Sequence, residues 1–309
     1  MFFPSAIWKL KAREALKNNW LTALLILLTV NLPSLLVQGI ASFTGNDLLL
    51  RMQDAIYASM TSAGVPDAQA LTEALRAMED SAGIWLMQGL NVLAWLITPC
   101  LALGMYHWML QRLAGQNAGY STVFSRVRLF LKSIGLRLYV ALRIFLYMLP
   151  GVALSVLSLL PVWTANAGSQ IELMTSLNTA MTLMTLSSIV MLALGIFAAL
   201  TYSPAEILMA GRPETRILDA ARQSKALMKG NRGQLFSLYV SFILWYLLEI
   251  FLANLAMSMF GTVAGLMVQM LCSLALSAYM HTSVCAFCRA LTQQGDATEN
   301  TEDTDPNAE

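Results

Sequence analysis

Six stretches of the chain, residues 20–42, 84–110, 138–160, 179–202, 235–257 and 262–287, are apolar almost throughout. Each is long enough to cross a hydrocarbon core of about 30 Å, which takes roughly 20 helical residues. None alternates apolar with polar positions as the strands of a membrane barrel would, so helical hydrogen bonds must satisfy the backbone in lipid. The segments before the first, third and fifth stretches have a different pattern. Lys9, Arg13 and Lys17 stand four apart beside Ile7, Trp8 and Leu10. Val123, Val127, Phe130 and Ile134 form an apolar stripe with Arg128 and Lys132 next to it. Arg222, Lys225, Lys229 and Arg232 advance by three, four and three, opposite Ile217, Leu218 and Leu227. Steps of three and four put side chains on one helical face, so these segments read as amphipathic helices lying along the membrane surface.

The expected fold class is therefore all-α: a polytopic membrane helix bundle of six transmembrane helices with three cytoplasmic interfacial amphipathic helices. Residues 1–292 read as a single integral membrane domain of three units, 1–110, 111–203 and 204–292, each an interfacial helix followed by a hairpin. A short likeness supports the repeat: Leu16-Lys17-Asn18-Asn19-Trp20 precedes the first span as Met228-Lys229-Gly230-Asn231-Arg232 precedes the fifth. Asn and Gly favour a helix C-terminus, which lets the chain turn from the surface into the bilayer. In the second unit the layout matches but the residues do not.

Composition agrees with the pattern. The 309 residues are 57% hydrophobic and only 12% charged, about half the charge of a soluble domain, and the mean hydropathy is +0.60. A formal net charge of +1 gives no basic footprint for nucleic acid. Four Cys in so long a chain are not a secreted disulfide framework. Sixteen of the nineteen Lys and Arg fall before the odd spans or after the even ones and Arg143 lies just inside the third, seventeen on one side; Arg51 and Arg76 are the exceptions. The positive-inside rule then places both termini in the cytoplasm of a bacterial plasma membrane, with an acid-rich outer loop at 43–83. Leu71, Leu75 and Met78 recur at helical spacing in that loop after Pro66-Asp67. Nineteen residues with four cations before the first span argue against a cleavable signal peptide. The tail, 293–309, holds six acids and no cation or aromatic residue and is expected to be disordered.

Asp219-Ala-Ala-Arg-Gln-Ser-Lys-Ala-Leu-Met-Lys-Gly-Asn231, followed by Leu235-Phe236 and Ser241-Phe242-Ile243-Leu244-Trp245, resembles the bacterial integral membrane family catalogued as domain of unknown function number 975. The resemblance extends to Ala12-Arg13-Glu14-Ala15-Leu16-Lys17-Asn18-Asn19-Trp20 and to Leu149-Pro150-Gly151. It implies a polytopic plasma-membrane protein with no catalytic residue to carry over, distantly similar to the membrane domains attached to some glycerophosphodiester phosphodiesterases. The long outer loop and the acidic tail depart from the pattern.

Chemistry has few footholds. No GxxxxGK[ST], GxSxG, HExxH or GxGxxG motif occurs and there are two His, so an enzyme is not expected. Glu249 lies well inside a span at nearly the depth of Asn91 and Gln269. Such a polar layer serves either as a proton relay or as a strut, with a protonated Glu249 bonded to Gln269. His281, Cys285 and Cys288 share a helical face with Met270; they could bind a soft metal, but such residues are ordinary in buried membrane helices, and no metal or other cofactor is expected. Gly261 and Gly265, with Ser273 and Ser277, would let helices approach closely.

Lys9, Arg13, Lys17, Arg128, Lys132, Arg222, Lys225, Lys229 and Arg232 are the expected contacts to lipid headgroups of the anionic inner leaflet. They point to a non-enzymatic role in lipid interaction or envelope maintenance. The alternative is a transporter or exporter component. Its path would be lined by Asn31, Asn91, Glu249 and Gln269, with Pro33, Pro99 and Pro150 breaking the spans.

Overall fold

The computed structural model describes residues 5–44, 57, 82–161 and 170–302. The helix expected around Leu71 to Met78 in the outer loop lies outside them. Among the described residues the chain is helical with no strand. The elements are α1 (Ser5–Leu16), α2 (Trp20–Thr44), α3 (Ala82–Leu113), a 3-10 helix (Tyr120–Leu129), α4 (Phe130–Leu157), α5 (Gln170–Tyr202), α6 (Pro204–Gly211), α7 (Ile217–Leu227), α8 (Arg232–Phe260) and α9 (Thr262–Glu302). Among the described residues six helices are long and apolar enough to cross a membrane. They pack as three hairpins, α2 with α3, α4 with α5 and α8 with α9, in the order that the apolar stretches predict.

Close approach within the hairpins depends on small residues. A Cβ on Gly265 of α9 would lie 2.7 Å from Met257 Cβ and 3.0 Å from the Ala253 carbonyl of α8, and one on Gly151 of α4 would lie 2.9 Å from Met191 Cα of α5. A Cβ on Gly104 of α3 would fall on the Val123 carbonyl of the 3-10 helix. Such positions exclude a side chain, so backbone packs on backbone. Elsewhere the hairpins present large apolar side chains outward, as Leu138, Leu142, Phe145, Leu146 and Leu149 do along α4. A surface of this kind is stable against lipid and not against water.

The buried core gathers at the end of the bundle where α2, α4 and α8 begin. Trp108 and Met109 of α3, Leu235, Leu238 and Phe242 of α8, Phe287 of α9 and Leu16 of α1 meet there. Trp8 packs its indole edge-on against Phe287, with ring centroids 5.7 Å apart, and the Trp108 indole N–H donates to the Ala118 carbonyl at 3.0 Å, tying down the turn after α3.

The turns of units one and three are alike. Asn18 (φ 65°) ends α1 and Gly230 (φ 86°) ends α7, both left-handed and at matching places in the two similar pentapeptides. This is the conformation that terminates a helix, and only Gly, or Asn at some cost, adopts it readily. The second unit differs from its expected form. Its first segment is a 3-10 helix that runs directly into α4 at Phe130, so the stripe from Val123 to Ile134 spans two elements. Val123 is buried while Val127 and Phe130 are exposed. A repeat of three residues per turn does not keep residues four apart on one face.

A further expectation changes. Pro33, Pro99 and Pro150 lie inside continuous helices, because apolar surroundings favour keeping every other backbone hydrogen bond. The interruption falls instead at Ser203, between α5 and α6. Helix α9 runs on to Glu302. Residues 303–309 lie outside the described residues.

Candidate functional site

Helices α1 and α7 and the 3-10 helix all precede the first residue of a hairpin, so their cations collect at one end of the bundle. Six of the nine expected headgroup contacts are exposed there: Arg13, Lys17, Arg128, Arg222, Lys225 and Lys229. Arg222 makes an ion pair of 3.8 Å with Asp219 one turn back, in the open. Exposed Ile7 and Leu10 on α1 and Leu218 on α7 put apolar surface beside these cations.

The other three turn toward the protein. Lys9 Nζ donates to the Ser241 carbonyl of α8 at 3.1 Å and stands 4.4 Å above the Phe242 ring. Burial holds its ammonium below the usual lysine pKa. Lys132 Nζ donates to the Pro213 carbonyl at 3.1 Å, clasping α4 to the segment before α7. The Arg232 guanidinium lies 4.3 Å over the Phe197 ring of α5. The cause is the choice of buried face. Helix α1 packs through Trp8, Ala12 and Leu16, which brings Lys9 in beside Trp8. Helix α7 packs through Ala220, Ala221 and Ser224, whose hydroxyl donates to the Thr201 carbonyl at 2.8 Å. Ile217 and Leu227 pack partly buried beside these small residues, and of the three apolar side chains expected on α7 Leu218 alone is exposed.

At the same end is a cavity of about 460 Å³ whose lining includes Lys11 and Glu14 of α1, Arg112 of α3, and Arg289 and Gln293 of α9. Three cations from three helices face it against one carboxylate. Arg112 Nη1 bonds the Gln116 carbonyl (3.3 Å) and Asn117 Oδ1 (3.0 Å), which fixes the guanidinium. Its buried Nε has no hydrogen-bond partner among the described residues. A fixed, partly unsatisfied guanidinium beside two further cations has the chemistry to receive an anion. Helical spacing does not reveal it, because nothing local relates Arg112 or Arg289 to Lys11.

The intramembrane layer does not assemble as expected. Glu249 is buried, with Oε2 lacking a hydrogen-bond partner among the described residues. Asn91 and Gln269 are exposed. Asn91 and Asn31 each donate to a carbonyl one turn back on their own helix, Met87 (3.0 Å) and Leu27 (2.8 Å). A local bond of this kind satisfies an amide in lipid without a neighbouring helix. Glu206, which no motif or spacing marks, is carried by α6 into the bundle within electrostatic reach of Arg137 and Tyr106.

His281 packs edge-on to the Tyr106 ring at 5.9 Å, and Cys285 Sγ lies 4.0 Å from Met109 Sδ in the core. Met270, on the same helix, is exposed. Among the described residues no three His, Cys, Asp or Glu side chains are grouped as metal ligands.

The family model described as "Protein of unknown function (DUF975)" matches residues 4–295, and the chain belongs to this family. The match carries membership alone and not the likeness to phosphodiesterase-attached membrane domains. No curated protein and no solved structure matches the chain.

Proposed function

We propose that this member of the DUF975 family is a non-enzymatic multi-pass protein of the bacterial plasma membrane, with both termini cytoplasmic, whose cationic end holds anionic lipid headgroups of the inner leaflet in the service of envelope maintenance. The observation that carries this reading is the gathering of exposed Arg13, Lys17, Arg128, Arg222, Lys225 and Lys229 at one end of the bundle. The cavity of Lys11, Arg112 and Arg289 opens at that same end. Each cation at a membrane surface adds about 1 kcal/mol of attraction to anionic lipid, so several act together while each lipid exchanges freely. Exposed Ile7, Leu10 and Leu218 would enter the acyl boundary as the cations reach the headgroups.

The test uses the full chain in nanodiscs of equimolar phosphatidylglycerol and phosphatidylcholine, with spin-labelled lipids reporting the fraction held at the protein. The expected result is a preference for phosphatidylglycerol that weakens with added salt. It should shrink further when Arg13, Lys17, Lys225 and Lys229 are all changed to Gln. Equal restriction of the two lipids would refute the reading.

A further inference from the structure

Helices α5 and α8 meet loosely and leave between them a groove of about 370 Å³. Leu200 and Ile196 line one side and Phe236, Val240 and Ile243 the other. The Ser203 and Tyr239 hydroxyls face the same space, hydrogen-bonded to each other at 3.2 Å. Phe236, Val240 and Ile243 keep about half of their surface exposed, so the groove opens sideways toward lipid.

Two guanidiniums lie around Phe197 and Tyr202, which neighbour the α5 residues that line it. Arg232 precedes Phe236 by one turn of α8, stacks on Phe197, and buries an Nε that has no hydrogen-bond partner among the described residues. Arg143 projects from the exposed face of α4, donating from Nε to the Tyr139 hydroxyl at 2.9 Å. Tyr202, at the end of α5, lies within electrostatic reach of both, and Tyr147 packs against Phe197 with ring centroids 6.2 Å apart. Among the described residues neither Arg143 nor Arg232 forms an ion pair with a carboxylate. Aromatic faces offset only part of the cost of placing such charges at the edge of the hydrocarbon. A phosphodiester matches the guanidinium fork and supplies the missing anion.

We propose that the groove between α5 and α8 holds one anionic phospholipid, its phosphate between Arg143 and Arg232 and an acyl chain along Leu200, Val240 and Ile243. This rests on the reading of an anionic leaflet at the cationic end and deepens it from a diffuse attraction to a single seated molecule. A headgroup carrying its own ammonium would return a positive charge to a place already holding two. The site therefore favours phosphatidylglycerol over phosphatidylcholine.

Native mass spectrometry of the full chain released from the equimolar nanodiscs tests the site. Wild type should retain one phosphatidylglycerol, and the Arg143→Gln/Arg232→Gln variant should lose it, with affinity down about tenfold or more. Ile243→Trp, which fills the groove and leaves both guanidiniums in place, should also expel it, and serves if the double variant fails to fold. Retention of the lipid in both variants, or equal retention of phosphatidylcholine, would overturn the site. In the variant lacking Arg13, Lys17, Lys225 and Lys229 the seated lipid should persist while the salt-sensitive preference falls. If wild type shows no salt-sensitive preference yet retains the lipid, the surface reading fails and the site stands; the converse removes the site alone.

Discussion

Lys9 shows how a single residue departs from its row. Its spacing from Arg13 and Lys17 promises a solvated cation, yet the ammonium is folded against Ser241 and Phe242. With its pKa lowered by burial, the folded chain binds fewer protons than the unfolded chain at pH values between the lowered value and the ordinary lysine value of about 10.4. Stability attributable to Lys9 therefore rises with pH through that window. Lys9→Met should keep the thermal midpoint at neutral pH and flatten its alkaline rise, leaving the phosphatidylglycerol preference intact. A midpoint that falls sharply at neutral pH would show instead that the charged contact holds α1 in place. Spacing reported that Lys9 is cationic and shares a row; it could not report that Trp8 is the anchor and drags its neighbour inward. For the same reason the cavity of Lys11, Arg112 and Arg289 was illegible, since its members lie far apart in sequence and only tertiary packing brings them together.

Among the elements, the legible ones carry a local cause. Unit boundaries at Asn18 and Gly230 follow from residues that accept a positive φ, and the hairpins follow from the lengths of the apolar runs. Gly230→Ala should cost about 1–2 kcal/mol, the price of an L side chain in the left-handed region, and should lower the thermal midpoint of the full chain in detergent. Asn18→Gly should be tolerated, because it removes a Cβ from a strained φ. Equal effects of the two changes would mean that the turns do not set the units. The elements that escaped the sequence reading are governed by packing. The 3-10 helix forms where the backbone of Val123 presses on Gly104, and α6 enters the bundle after Pro204 with Ala205, Ile207, Met209 and Ala210 buried. The prolines of α2, α3 and α4 are absorbed by continuous helices, and an interruption falls at Ser203 instead.

For the whole molecule, apolar hairpins expose greasy surface along their length while the core and the cations crowd one end, and the proposed role depends on that end facing the cytoplasm. Orientation is legible only as a bias, seventeen cations against two, because the bundle itself has no inside or outside. The direct measurement is thiol labelling at position 229. In a Cys272→Ser background, where the remaining cysteines are buried, Lys229→Cys is treated with a membrane-impermeant maleimide in spheroplasts and in inverted vesicles. Labelling in inverted vesicles alone is the predicted result. Labelling in spheroplasts would put the cationic end outside the cell and contradict the account.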